Sequence, residues 1–153
     1  MRKEKLPAIF GFYGPSRSGK TYLINKLVSQ LKEEGHRVAV VKASNQTMSI
    51  DTEGKDTALY RKAGADAVIF SSACETVCIV PKALTMQEIV HFLSQNASYD
   101  FIFIEGASEE WIPKIRVGEM ALRENTLFTY DGDYDALYAH ITKHNENNLA
   151  RRK

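Results

Sequence analysis

Between an apolar run at Ala8-Ile9-Phe10-Gly11-Phe12-Tyr13 and an amphipathic stretch from Thr21 to Leu31 stands Gly14-Pro15-Ser16-Arg17-Ser18-Gly19-Lys20-Thr21. This is the pattern G-x-x-x-x-G-K-[ST]. A strand, a glycine-bearing loop and a helix N-terminus in that order converge backbone N–H groups on one point and so build an anion site. The arrangement also constrains the fold. The strand must lie inside a sheet, and the helix leaving it must cross back over one face. Gly14 and Gly19 let the backbone turn and approach phosphate without a Cβ in the way. Lys20 can reach the outer phosphates, and Thr21 can offer its hydroxyl to Mg²⁺. Ser18 adds a second hydroxyl, and Arg17 protrudes from the loop, where it could meet phosphate across a dimer. The ligand class implied is a nucleoside triphosphate with Mg²⁺.

The rest of the chain reads as alternating strands and helices. The first helix, about Lys20 to Glu34, carries Leu23, Ile24, Leu27, Val28 and Leu31 at helical spacing, and Gly35 is placed to end it. Val38-Ala39-Val40-Val41 reads as a buried parallel strand reached by a right-handed crossover. A short helix is expected over Thr57–Ala63. Ala67–Phe70 and Thr76–Val80 read as two strands whose short connection suits antiparallel pairing. Thr85 with Glu88 three residues on gives a capping-box start to a helix, with Met86 on its apolar face. Phe101-Ile102-Phe103-Ile104 is a continuous apolar strand. Ile115–Val117 and Leu127–Thr129 are weaker strands, and Tyr134–Lys143 is a terminal helix with a frayed tail from Asn145 to Lys153. The expected architecture is α/β: a three-layer P-loop NTPase fold with a mostly parallel sheet and some antiparallel strand pairing, in a single domain over 1–153.

Composition narrows the partners. The 153 residues hold 20 Lys+Arg against 19 Asp+Glu, a formal charge of +1 that calls for neither nucleic acid nor a membrane surface. Basic clusters at Arg2-Lys3-Lys5 and Arg151-Arg152-Lys153 read as solvated termini. Cys74 and Cys78 form a C-x-x-x-C without the further ligands zinc requires, and read as buried or half-buried thiols in a reducing compartment. With no long apolar run and no leader pattern, the expected location is the cytoplasm.

A phosphate loop needs a carboxylate near its Mg²⁺. Asp100 and Glu105 flank one strand, about 16 Å apart along an extended chain, so both cannot serve one metal. Parallel sheets place their ligands beyond the carboxyl ends of the strands, which selects Glu105 and leaves Asp100 as a strand-start acid. Gly106 would let backbone approach the phosphates. In the polar segment 43–57, Asp51 is the preferred second acid, for Mg²⁺ or the attacking water, with a solvated role as the alternative. Lys42, at the end of its strand, faces the same edge and could balance phosphate charge. Trp111 could stack on a heterocycle or cover a dimer contact. None of His36, His91, His140 and His144 is expected to be catalytic.

Four blocks in order resemble the molybdopterin-guanine dinucleotide biosynthesis protein B family: Gly14 to Thr21; the strand ending at Lys42; Asp51-Thr52-Glu53-Gly54-Lys55-Asp56-Thr57 with Ala63-Gly64-Ala65; and Asp100 to Gly106 followed by Pro113-Lys114-Ile115. That family is similar to the signal-recognition and MinD-like branch of phosphate-loop GTPases. The resemblance implies a homodimer that binds GTP with Mg²⁺ and hydrolyses it slowly. It further implies assistance to the nucleotidyltransferase that joins GMP to molybdopterin, with a molybdopterin-type ligand as a possible contact. Gly14, Gly19, Lys20 and Thr21 then hold the phosphates and Mg²⁺, and Asp51 and Glu105 are the acids near the metal. Two departures stand out. Ala43-Ser44-Asn45-Gln46 occupy the place where family members carry histidines, and Ala107-Ser108 the place of an aromatic and a lysine. No N-K-x-D pattern occurs, so guanine preference is implied by the resemblance alone.

Besides the weak GTPase, two readings are open at this level. A small-molecule kinase would need an acceptor pocket and a lid arginine, for which Arg116 and Arg123 are available. A nucleotide-gated adaptor would bind without appreciable turnover.

Overall fold

The computed structural model describes residues 6–150, with side chains as far as Asn145. The two basic clusters at the termini fall outside the described residues. In chain order the elements are β1 (Ala8–Tyr13), α1 (Lys20–Glu33), β2 (Val38–Lys42), α2 (Asp56–Lys62), β3 (Val68–Ser71), β4 (Thr76–Ile79), α3 (Met86–Asn96), β5 (Phe101–Glu105), β6 (Lys114–Val117), β7 (Thr126–Tyr130) and α4 (Tyr134–Ala150). They fall into two compact units, Met1–Ser44 with Met86–Lys153, and Asn45–Thr85. Among the described residues no helix is long and apolar enough to cross a membrane.

The larger unit is a five-stranded sheet in the order β2-β5-β1-β6-β7, and every neighbouring pair is parallel. The central strand β1 and its neighbour β5 read as apolar runs, ending at Glu105 in β5, because both faces are covered. Alternate residues point to opposite layers. Ala8, Phe10 and Phe12 of β1 and Phe101 and Phe103 of β5 meet Leu23, Ile24, Leu27 and Leu31 of α1 and Leu137 and Ile141 of α4. Ile102 and Ile104 turn the other way, into a cluster with Met86, Ala107 and Ile112, with Ile89, Val90 and Leu93 of α3 packed against it. This is the expected three-layer arrangement.

Helix α1 ends as its sequence dictates. Gly35 takes φ 85°, and the His36 N–H donates to the Leu31 carbonyl at 2.9 Å. That bond satisfies a carbonyl the helix end would leave free. At the same end of the sheet, the Asp100 carboxylate accepts the Arg37 N–H at 2.9 Å, so Asp100 is the strand-start acid expected of it.

Three expectations are corrected. Val38–Val41 does form a parallel strand, but β2 lies at the sheet edge and Val40 is half exposed, so it is not buried on both faces. The weak candidate at Ile115–Val117 is an interior strand, β6, paired with β1 on one side and β7 on the other. The last helix does not stop at Lys143; it continues through Asn145, which is buried, to Ala150.

The smaller unit holds α2 and the antiparallel hairpin β3–β4, in register from Val68↔Ile79 to Ser71↔Thr76. Its turn is closed by Ser72, whose hydroxyl accepts the N–H of Cys74 at 3.3 Å and of Glu75 at 3.2 Å. Both cysteines are exposed and neither is in a disulfide, which corrects the buried or half-buried reading. Cys74 lies in the turn, and Cys78 falls on the exposed face of β4, whose Val77 and Ile79 are half-buried on the other.

Candidate functional site

The carboxyl ends of β1, β2, β5 and β6 meet at one edge, and the loop from Gly14 to Gly19 sits on it. Gly14 takes φ 157° and its Cα faces the end of β6: a Cβ there would stand 1.9 Å from the Val117 carbonyl oxygen. Gly118 completes this seat, at φ 81°, with the Ser18 Cβ within 3.1 Å of where its own Cβ would be. Val117 and Gly118 are therefore the footing of the loop. They carry no motif, so only the strand pairing brings them into view. Gly19 takes φ 91° with open space around it, so glycine is used there for its backbone alone.

Helix α1 then begins at Lys20 with no side-chain cap and no acidic residue in its first turn. Its first N–H groups and the positive end of its dipole remain available to an anion. The Lys20 ammonium folds back over the loop and donates to the carbonyls of Gly14, at 3.0 Å, and Pro15, and to Ser18 Oγ, at 3.4 Å. All three of its protons are thus directed to the loop's own oxygens.

One residue further, the Thr21 hydroxyl lies 3.1 Å from both carboxylate oxygens of Glu105. Strand register brings this about. Glu105 is the last residue of β5, paired with Phe12 of β1 on one side and Lys42 of β2 on the other. Among the two acids that flank β5, the structure brings Glu105 to Thr21 and leaves Asp100 at the opposite end. Residues Ser16–Tyr22, Lys42 and Glu105 line one open recess. Lys42 is exposed in it, and Glu105 is its one carboxylate among the described residues.

Gly106 follows at φ 87°, where a Cβ would stand 2.7 Å from the Ala43 carbonyl oxygen. Its N–H donates to Phe12 at 2.9 Å. The close approach this glycine permits is to the end of β2.

Asp51 belongs to the smaller unit, and its carboxylate is engaged there. Thr57 Oγ1 donates to Oδ1 at 2.8 Å, and Arg61 Nε stands 3.1 Å from Oδ2. The second contact is an ion pair whose angle falls outside hydrogen-bond geometry, since both atoms lack a hydrogen-bond partner. Among the described residues no three acidic, histidine or cysteine side chains gather as a metal cluster.

Three further cations of the larger unit serve the backbone. Lys114 is buried, and its ammonium donates to the carbonyls of Ile112, at 3.0 Å, and Glu124, at 2.9 Å. Burial pushes its pKa down, against an opposing pull from Glu109. Arg116 donates to the Met120 carbonyl at 2.8 Å, and Arg123 to the Ala107 carbonyl at 2.7 Å, with its guanidinium over the Tyr13 ring. Neither arginine is positioned as a mobile lid. Trp111 is partly exposed, with its carbonyl accepting from Asn125 at 3.3 Å.

The family described as molybdopterin guanine dinucleotide synthesis protein B, MobB, matches residues 9–143. The chain belongs to this family. Its resemblance in the four sequence blocks thus extends over most of the folded chain. The molybdopterin-guanine dinucleotide biosynthesis adapter protein of Haemophilus influenzae is 33% identical over 109 residues, which span 70% of this chain and 61% of that protein. The adapter protein of the same name from Escherichia coli is 31% identical over 116 residues, spanning 74% of this chain and 66% of that one. The MobB-family chain therefore covers less than two thirds of either relative, at 61% and 66% of their lengths. The crystal structure of Bacillus subtilis MobB superposes with a TM-score of 0.70 at 18% identity, covering 90% of this chain and 97% of that one. A MobB homologue from Bacillus stearothermophilus gives 0.62 at 17% identity, covering 92% and 99%. At such identities the likeness establishes the fold, a parallel sheet with its phosphate loop after β1.

Proposed function

We propose that this MobB-family protein binds GTP with Mg²⁺ at Gly14–Thr21, hydrolyses it slowly, and acts as an adapter in attaching GMP to molybdopterin. The observation that carries the reading is the pairing of Thr21 with Glu105 directly beside Lys20, at the carboxyl edge where parallel sheets hold their ligands. A hydroxyl and a carboxylate converging from α1 and β5 form a hard oxygen pair of the kind Mg²⁺ takes in phosphate sites. The uncapped N-terminus of α1 supplies N–H groups to phosphate.

In this reading Lys20 would exchange its bonds to Gly14 and Pro15 for phosphate oxygens. Thr21 and Glu105 hold the metal, whose charge offsets that of the phosphates when bound. Lys42 adds positive charge at the rim. The loop amides and Lys20 stabilise charge growing on the phosphoryl oxygens during in-line attack by water. The recess holds one described carboxylate, Glu105, and it is engaged by Thr21, so no free base orients the water. Slow turnover follows from that. Asp51, held by Thr57 and Arg61, is given no part. The names of the curated relatives support the adapter role, with a homodimer, a nucleotidyltransferase partner, a molybdopterin-type ligand and a cytoplasmic setting as its corollaries.

The test is equilibrium binding of GTP and of ATP with Mg²⁺ to the intact protein and to Lys20→Ala. GTP binding that Lys20→Ala abolishes supports the proposal. Preference for ATP moves the reading toward a phosphotransferase, and binding of neither nucleotide refutes it.

A further inference from the structure

Arg17 stands apart from every other described arginine. Arg37 lies over the Tyr99 ring, Arg61 meets Asp51 and Ser49, Arg116 holds Met120, and Arg123 holds Ala107. Among the described residues, the Arg17 guanidinium has no hydrogen bond, ion pair or ring contact. It is exposed and lines the same recess as Lys20, Thr21 and Lys42. Its backbone is also unusual. Arg17 takes φ 62°, a left-handed conformation that it shares, among non-glycine residues described, only with Asn125. Asparagine tolerates that region, and a long unbranched cation gains nothing from it. Glycine would hold the same loop turn without the Cβ penalty. A strained position occupied by an uncommitted guanidinium at the mouth of an anion site marks a residue kept for its side chain.

From this juxtaposition we infer that Arg17 is a specificity residue of the phosphate loop, one that reads the terminal phosphate of a nucleoside triphosphate bound by its own chain. The inference rests on the nucleotide-binding reading above and adds discrimination between triphosphate and diphosphate to it. The chemistry is direct. A planar fork of N–H donors at the mouth of the recess matches the outermost phosphate of a triphosphate, which offers three oxygens and the most charge; a diphosphate ends in the same kind of group, but one phosphate short of that reach. Lys20, which is tied to the loop, makes a point-charge contact and cannot supply that geometry.

The experiment measures the affinity of the intact protein, Arg17→Gly and Arg17→Lys for a non-hydrolysable GTP analogue and for GDP, each with Mg²⁺. Thermal unfolding is recorded without nucleotide. Arg17→Gly is expected to unfold at the same temperature or higher, because it relieves the left-handed position. It is expected to lose about tenfold in affinity for the analogue while GDP affinity holds within about twofold. Arg17→Lys is expected to recover only part of the loss. An equal mixture of Arg17→Gly and Lys20→Ala is expected to bind no better than Arg17→Gly does alone. Unchanged analogue affinity in a folded Arg17→Gly overturns the inference and leaves the nucleotide site standing. Recovery in the mixture overturns action within one chain. An intact protein that binds neither probe overturns the nucleotide reading and this inference with it.

Discussion

Gly14 and Gly19 bracket the same loop, yet the structure predicts very different costs for giving each a methyl group. At Gly19 the added Cβ meets nothing within 4 Å, so Gly19→Ala incurs only the penalty of a left-handed backbone. That is about 1–2 kcal/mol. At Gly14 the Cβ would stand 1.9 Å from the Val117 carbonyl oxygen, so loop and strand end must part by at least 1 Å. The obstacle is backbone at the paired end of β6 and cannot swing aside as a side chain would. Overpacking of this kind adds about 1–3 kcal/mol to the conformational penalty, giving about 2–5 kcal/mol in all. In a chain of this size each 1 kcal/mol moves the midpoint by about 2–4 °C. Thermal unfolding without nucleotide should therefore place Gly19→Ala about 2–8 °C and Gly14→Ala about 4–20 °C below the intact protein, with Gly14→Ala the lower of the two. Gly64→Ala, at φ 96° with nothing within 4 Å, is the control and should match Gly19→Ala. Equal losses for Gly14→Ala and Gly19→Ala would refute the claim that the loop is seated on β6.

Phe103 is fully buried among Phe10, Phe12 and Phe101, so Phe103→Ala should cost about 3–5 kcal/mol in denaturant unfolding. Burial between Phe10 and Phe128, and then the neighbouring His144, lower the pKa of His140 from its ordinary value of 6.5. Since the unfolded chain takes up that proton first, stability should fall as pH drops through about 6.5, and His140→Phe should flatten this slope in denaturant melts across pH 5–8. Lys114→Met should leave the Ile112 and Glu124 carbonyls without their donor and cost about 1–3 kcal/mol, read together with faster amide exchange over residues 118–125. Thr21→Val and Glu105→Gln, both at the open edge, should leave the melting temperature within about 2 °C of the intact protein and remove the Mg²⁺ dependence of nucleotide binding.

What could be read from sequence was what neighbouring residues decide. The loop from Gly14 to Thr21, the stripe along α1 and the stop at Gly35 are local, and each agrees with the structure. Choosing Glu105 over Asp100 needed only the strand direction and the carboxyl-edge rule, and Thr21 does meet Glu105. Position within the sheet was not legible, because it depends on distant partners. An unbroken Val38–Val41 run looks buried whether it ends up central or at an edge. Lys114 and Arg116 make β6 look too polar for an interior strand, until their long side chains are seen bonding to carbonyls beyond it. The thiols of Cys74 and Cys78 were misplaced because their place depends on hairpin register: Cys74 falls in the turn and Cys78 on the exposed face of β4.

The return from β6 to β7 explains why so many cations stand near the site without serving it. The two strands are parallel, yet only residues 118–125 join them, with no helix in between. Parallel neighbours usually need a crossover of about a dozen residues or more. So short a return leaves carbonyls along its course with no ladder partner. Lys114 and Arg116 provide donors, at Glu124 and Met120, while Arg123, itself in the return, donates to the Ala107 carbonyl after β5 and its N–H is accepted by the Tyr13 hydroxyl at 3.0 Å. Tyr13 is the residue immediately before Gly14, and Val117, on which Gly14 rests, is the residue immediately before the return. The cations that close this arch thereby hold the footing of the phosphate loop from both sides. Their charge is consumed by backbone, which leaves Lys20, Lys42 and Arg17 as the positive groups lining the recess.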